Sequence, residues 1–194
     1  MEDVGTTILS ERHCHLGEGP TYDPATDTAW WFDILERTLL QADLASGDIT
    51  THALPVMASV LAIIDDQRQL LAADTGLYVR DVADGRLTLH TPLEADNAAT
   101  RSNDGRVHAC GALWVGTMGR KAEKGAGAIY RFHRGELSLL YAGVTIPNAI
   151  CFSPDGATAY FTDTKTALLQ RVAIDPMTAK PTGEPQTLYD HRGG

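Results

Sequence analysis

The sequence predicts an all-β chain folded as consecutive four-stranded blades of a β-propeller, and three observations predict it. Short apolar runs alternate with Gly-, Asp- and Pro-containing turns, and long helical periodicity is missing. An apolar run closed by a polar residue recurs at Asp33, Asp74, Thr117 and Asp163, every 41 to 46 residues. Each of these anchors is followed by a strand, a turn and a further strand. Four strands in about 40 to 45 residues is the repeat of a propeller blade. A β-sandwich would explain the short strands but not the fixed period.

The elements follow in order. The first unit, about 16–56, has its anchor at Trp30-Trp31-Phe32-Asp33, then Leu39-Leu40-Gln41, a Ser46-Gly47 turn and Ile49-Thr50-Thr51-His52. The second, about 57–94, opens on Leu61-Ala62-Ile63-Ile64 and continues through Leu71-Ala72-Ala73-Asp74, Leu77-Tyr78-Val79, Asp84-Gly85 and Leu87-Thr88-Leu89-His90. The third, about 100–144, runs through Trp114-Val115-Gly116-Thr117, Ile129-Tyr130-Arg131, Arg134-Gly135 and Leu137-Ser138-Leu139-Leu140. The fourth, about 146–190, opens on Ala149-Ile150-Cys151-Phe152. It continues through Tyr160-Phe161-Thr162-Asp163, Leu168-Leu169-Gln170, a longer excursion to Thr182-Gly183, and Thr187-Leu188-Tyr189. The run Thr6–Ser10 has the character of a ring-closing strand, yet the fourth unit already owns four strands. Further blades are therefore expected beyond Gly194.

Composition bounds the function. The chain has 194 residues, 43% hydrophobic and 21% charged, as expected for one globular domain. With 16 Lys and Arg against 25 Asp and Glu the net charge is −9, which argues against nucleic acid or an anionic membrane as the main partner. No apolar run approaches the roughly 18 residues of a membrane span. Met1–Ser10 has no basic segment of a secretory signal, so Cys14, Cys110 and Cys151 are expected as free thiols of a cytoplasmic protein.

Polar residues recur at one repeat position. Glu18, Ser59 and Asn148 stand 15 residues ahead of their anchors and Asn103 stands 14 ahead. Such positions lie just before the innermost strands, which converge at one mouth of the central channel. One carboxylate and two carboxamides gathered there suit a hard divalent ion, calcium, magnesium or manganese, with zinc also open. Turn chemistry alone also accounts for Gly17-Glu18-Gly19-Pro20, Asn103-Asp104-Gly105 and Pro147-Asn148. The shared repeat position favours a site. His13-Cys14-His15 is read as strand with both histidines on one face, Asp104 as capping its own turn with Gly105, Asp155-Gly156 as a hairpin turn, and Lys121–Lys124 as a charged loop.

These residues carry a resemblance. Leu16-Gly17-Glu18-Gly19-Pro20 with Trp31-Phe32-Asp33-Ile34, Arg101-Ser102-Asn103-Asp104-Gly105 with Gly116-Thr117-Met118, and Ile146-Pro147-Asn148 with Ser153-Pro154-Asp155-Gly156 and Tyr160-Phe161-Thr162-Asp163 resemble, in order and spacing, the SMP-30/gluconolactonase/LRE family, which includes regucalcin. The resemblance implies a six-bladed propeller, of which about four blades are present, and a hydrolase of sugar lactones dependent on one divalent metal ion. It implies Glu18 and Asn148 as metal ligands and Arg101 and Asn103 as substrate contacts. Lys121 stands where the family often has a substrate-contacting Glu, and the nearest carboxylate is Glu123. Ala149, Thr164 and His108 replace a usual Gly, a frequent Ser and a frequent Asp, at positions expected to lie away from the ligands. The family's remaining ligand, an Asp that is also the acid/base, belongs to a fifth blade, and the repeat would place it at about residue 193. Nothing after Asp190 matches it, so no catalytic residue is assigned and activity is expected to be impaired.

Two other classes compete. A metal-binding or scaffold propeller without catalysis needs only Glu18 and Asn148. A partner-binding WD40-type module lacks its Trp-Asp and Gly-His signatures here, and would leave the polar channel residues without a role.

Overall fold

The computed structural model describes residues 6–193. It contains four antiparallel four-stranded sheets, each built from consecutive strands. The first comprises β1 (Gly17–Asp23), β2 (Thr28–Asp33), β3 (Thr38–Asp43) and β4 (Ile49–Ala53). The second comprises β5 (Ala58–Ile63), β6 (Arg68–Ala73), β7 (Gly76–Asp81) and β8 (Leu87–Pro92). The third comprises β9 (Thr100–Val107), β10 (Leu113–Gly119), β11 (Gly127–His133) and β12 (Glu136–Val144). The fourth comprises β13 (Pro147–Phe152), β14 (Thr158–Asp163), β15 (Leu168–Ala173) and β16 (Gln186–Asp190). The innermost strands β1, β5, β9 and β13 neighbour one another in sequence order, which is the propeller arrangement.

Three apolar clusters hold the blades together, one for each pair of consecutive sheets. Trp30, Phe32 and Leu39 pack with Leu61 and Leu71 between the first and second. Val60, Leu70 and Leu77 meet Leu113 and Val115 between the second and third. Trp114 and Ile129 meet Ile150, Phe161 and Val172 between the third and fourth. A sheet packed on both faces reads as continuously apolar. Accordingly β10 is buried at every residue, whereas β14 alternates buried with half-buried positions.

The anchors have a mechanical role. Asp33 accepts the N–H groups of His15 and Leu16 at 2.9 and 3.1 Å, and Asp163 those of Thr145 and Ile146 at 2.9 and 3.0 Å. Asp74 takes Met57 N–H at 3.1 Å. A carboxylate at the end of the second strand thus latches the chain as it enters the first strand of its own blade. In the third blade Thr117 is bonded instead to Glu94, 2.8 Å away.

Two expected strands are absent among the described residues. Thr6–Ser10 pairs with no strand and leaves Ile8 and Leu9 exposed. His13-Cys14-His15 is irregular rather than strand, because the Asp33 carboxylate takes the His15 N–H that a ladder would need. Asp155-Gly156 does lie in the tight turn joining β13 to β14, closed by Gly156 N–H to Ser153 O at 2.9 Å.

Candidate functional site

The repeat position has a common backbone cause. Asp33 pairs with Gly17, Thr117 with Ser102 and Asp163 with Pro147, so Glu18, Asn103 and Asn148 each lie one residue past the partner of their anchor. At each of these points the register shifts by a β-bulge, which re-aims side chains and is frequent beside functional sites. The bulges require left-handed backbone at Gly19 (φ 63°) and at Ala149 (φ 57°). Gly19 suits its place for a second reason, since a Cβ there would lie 2.2 Å from Ser59 O.

Asn103 and Asn148 meet directly. Asn103 Nδ2 donates to Asn148 Oδ1 at 3.0 Å and to Pro147 O at 2.9 Å. Asn103 Oδ1 accepts from an Arg101 guanidinium nitrogen at 2.9 Å, and that nitrogen also donates to Ser102 O at 2.7 Å. Asn148 Nδ2 donates to Thr164 Oγ1 at 2.8 Å. The relay Arg101–Asn103–Asn148–Thr164 fixes both amide orientations, and Asn148 Oδ1 keeps an unused lone pair. Thr164, expected to lie away from the ligands, bonds to the candidate ligand Asn148, whose Nδ2 finds its acceptor in Thr164 Oγ1. His108 does lie elsewhere, bridging Gly156 O and Cys110 N–H in the turn between β9 and β10.

Glu18 shares the electrostatic field of this relay. Burial and then the Asp104 charge push its carboxyl above the usual range, opposed by Arg101. Its carboxylate makes no hydrogen bond or ion pair among the described residues. Arg101, buried at 7% exposure, is held below the ordinary arginine range by burial and by Arg120, opposed by Glu18. Its Nε and second terminal nitrogen carry no hydrogen bond among the described residues. Arg120 itself is tied to Asp74 at 2.8 Å and to Ala98 O at 2.9 Å.

Ser59 and Asp104 are placed differently from the simplest expectation, and Lys121 lies in the exposed loop expected for it. Ser59 is fully buried and donates to Ser102 Oγ at 2.7 Å, stitching the second blade to the third. Asp104 does not cap a turn. It lies within β9, and its Oδ2 accepts Ile150 N–H of the next blade at 2.7 Å. Burial raises its carboxyl above the ordinary range against that hydrogen bond and one from Gly105 N–H. Lys121 is exposed, and its N–H is capped by Glu123 Oε2 at 3.0 Å. Asp104, Arg120 and Thr164 were illegible as neighbours of the site because their partners lie on other strands.

The donor chemistry admits a hard cation. Glu18 offers an unpaired carboxylate and Asn148 an amide oxygen already oriented, an oxygen-only set of the kind calcium, magnesium and manganese take. Among the described residues no three His, Cys, Asp or Glu side chains gather around one point. The protein part of such a site would thus be sparse.

Comparison with known proteins places this geometry. Residues 16–194 match the model of the SMP-30/Gluconolactonase/LRE-like region. A Rhizobium meliloti protein named "Putative sugar lactone lactonase" is 58% identical over 182 residues, covering 94% of this chain and 62% of its own. The 6-deoxy-6-sulfogluconolactonase of Pseudomonas putida is 31% identical, covering 82% and 55%. The crystal structure of a calcium-binding protein, regucalcin, from Agrobacterium tumefaciens superposes with a TM-score of 0.95 at 57% identity, over 96% of this chain and 63% of that one. The chain therefore spans about three-fifths of the length of these two nearer relatives. With its four consecutive blades and its matched motifs, the chain belongs to the SMP-30/gluconolactonase/LRE-like family.

Proposed function

We propose that this chain supplies the substrate mouth and part of a divalent-metal site for the hydrolysis of sugar lactones, with five- or six-carbon aldonolactones as the substrate class. The observation that carries the reading is the Arg101–Asn103–Asn148 relay, together with an unpaired Glu18 carboxylate that feels the charges of Arg101 and Asp104. Relatives named as lactonases support it.

Lactone hydrolysis needs a polarised carbonyl, an activated water and a proton for the ring oxygen. A divalent ion, when bound, supplies Lewis acidity and lowers the pKa of water. Glu18 and Asn148 Oδ1 would hold it. Arg101 presents the unused side of its guanidinium, a planar fork suited to substrate oxygens. Asn103 spends both amide hydrogens on protein acceptors, so it would reach a sugar hydroxyl only as an acceptor through Oδ1. Lys121, exposed after β10, is the remaining candidate contact, with Glu123 beside it.

No general base is assigned among the described residues. Asp104 Oδ2 is engaged by Ile150 and Glu123 Oε2 by Lys121. This supports weak or no turnover by the chain alone, and it favours metal binding without catalysis as the second reading. Among the described residues no helix is long and apolar enough to cross a membrane. The three thiols support a reducing, cytoplasmic setting, and the net charge of −9 supports the reading that neither nucleic acid nor an anionic membrane is the main partner.

The test pairs two measurements. Calorimetry with manganese or calcium should detect weak binding that Glu18→Gln reduces by at least about tenfold. Hydrolysis of gluconolactone above the spontaneous rate, with and without the ion, separates the enzyme from the plain metal binder. Equal affinity in both proteins would remove Glu18 from the site.

A further inference from the structure

The bulge in β13 creates a local problem. Asn148 pairs with Thr162 and Cys151 with Tyr160, so Ala149 and Ile150 together face the single residue Phe161. Ile150, 1% exposed, thereby loses its ladder partner while its N–H remains buried. An unpaired buried donor is costly.

The first blade meets the same problem by composition. Its bulge places Gly19 and Pro20 opposite Trp31, and the residue matching Ile150 is Pro20, which has no N–H to satisfy. The fourth blade has no such device of its own. Its orphan N–H is taken by a residue of the neighbouring blade, the Asp104 carboxylate, at 2.7 Å. The slot directly after the repeat residue holds Gly19 in the first blade and Ala149 in the fourth, and in the third it holds Asp104.

We propose that Asp104 is a positioning residue. Its carboxylate fixes the Ile150 backbone and so, two residues upstream, the presentation of Asn148 Oδ1. Asn103 and Asp104, adjacent on β9, then grip the same segment from two directions, one by the Asn148 amide and one by the Ile150 N–H. The functional part of this inference rests on the reading of Asn148 as a metal-facing ligand. The conformational part does not.

The experiment uses Asp104→Ala, which removes the acceptor, and Asp104→Asn, whose amide oxygen can still accept from Ile150. Two readouts are taken on ¹⁵N-labelled protein: amide exchange at Ile150 with the Asn148 side-chain amide resonances, and manganese affinity by calorimetry. Asp104→Ala should speed Ile150 exchange at least about tenfold, displace the Asn148 signals, and weaken manganese by about ten- to a hundredfold. Asp104→Asn should restore all three. Unchanged Asn148 signals and affinity in Asp104→Ala would overturn the proposal. So would an equal loss in Asp104→Asn, which would mean that charge, not the hydrogen bond, is what Asp104 contributes. If wild type binds no manganese, the metal reading falls, and the Ile150 and Asn148 signals alone decide whether Asp104 positions the segment.

Discussion

Asn103 Nδ2 lies 3.0 Å from Asn148 Oδ1, joining residues 45 apart in sequence and on different blades. The contact orients an amide whose own N–H group is taken by Thr164, so a flip would break two hydrogen bonds at Asn148 and three at Asn103.

Asn103→Ala should therefore act on both neighbours at once. It leaves Arg101 with one acceptor fewer and frees the Asn148 amide. Loss of about 2 to 3 kcal/mol of stability is expected for a buried side chain in three protein hydrogen bonds. Urea unfolding measures it. A change below about 0.5 kcal/mol would mean that water replaces the amide without loss.

Gly19→Ala should be more disruptive than its size implies. The added methyl meets Ser59 O within 2.2 Å, and the residue must also hold φ at 63°. The first and second blades would have to separate locally, at about 2 to 4 kcal/mol. Circular dichroism melts should fall accordingly, and Glu18, the preceding residue, should lose any metal affinity with them.

Ala149→Gly is expected to do the opposite. Ala149 holds φ at 57° in the bulge, a conformation disfavoured for any residue with a Cβ. Removing the methyl should stabilise the fourth blade by about 0.5 to 1 kcal/mol after the extra unfolded-chain entropy of glycine. A lower melting temperature would show that the methyl contributes packing that outweighs the strain.

Acid should loosen the joint between the first and second blades through His52. Its Nδ1 accepts from Arg80 at 3.2 Å, so its Nε2–H faces Gln41 Oε1 at 3.0 Å, and the ring stacks on Trp30. Burial and then the Arg80 charge hold the imidazole below its ordinary range. The Asp81 and Asp84 charges act on Arg80 against the effect of its burial. A depressed histidine binds its proton more readily unfolded, so its contribution is complete above about pH 6.5 and declines as pH falls toward the folded value. Urea unfolding at pH 7.5 and 5.5 should show a smaller pH dependence in His52→Gln than in wild type. An identical dependence would place the acid sensitivity elsewhere.

Much of this was legible in the sequence where one blade suffices to explain it. The anchors recur because Asp33, Asp74 and Asp163 each latch their own first strand, a local demand the repeat preserves. Glu18, Asn103 and Asn148 stood out for the same reason, each one residue past an anchor's partner. Contacts that no repeat or spacing rule encodes were not legible, whether between blades or within one. Asn103-Asp104-Gly105 has good turn chemistry, and only the neighbouring bulge explains why Asp104 points to Ile150 instead. No spacing rule links Thr164 to the Asn148 amide it accepts from. His13–His15 failed as a strand because Asp33 had already claimed its backbone.

Each apolar cluster is shared by two consecutive sheets and no more, so the chain behaves as a one-dimensional lattice with nearest-neighbour couplings. In such a lattice, opening the fourth sheet exposes Ile150, Phe161 and Val172 while Trp30 and Leu61 stay packed. Glu18 and Asn148 lie on the first and fourth of the described sheets. An ion that touches both would couple two sheets that share no apolar cluster. Loading the site should then sharpen the melting transition as well as raise its midpoint, because partly opened states would forfeit the ligand.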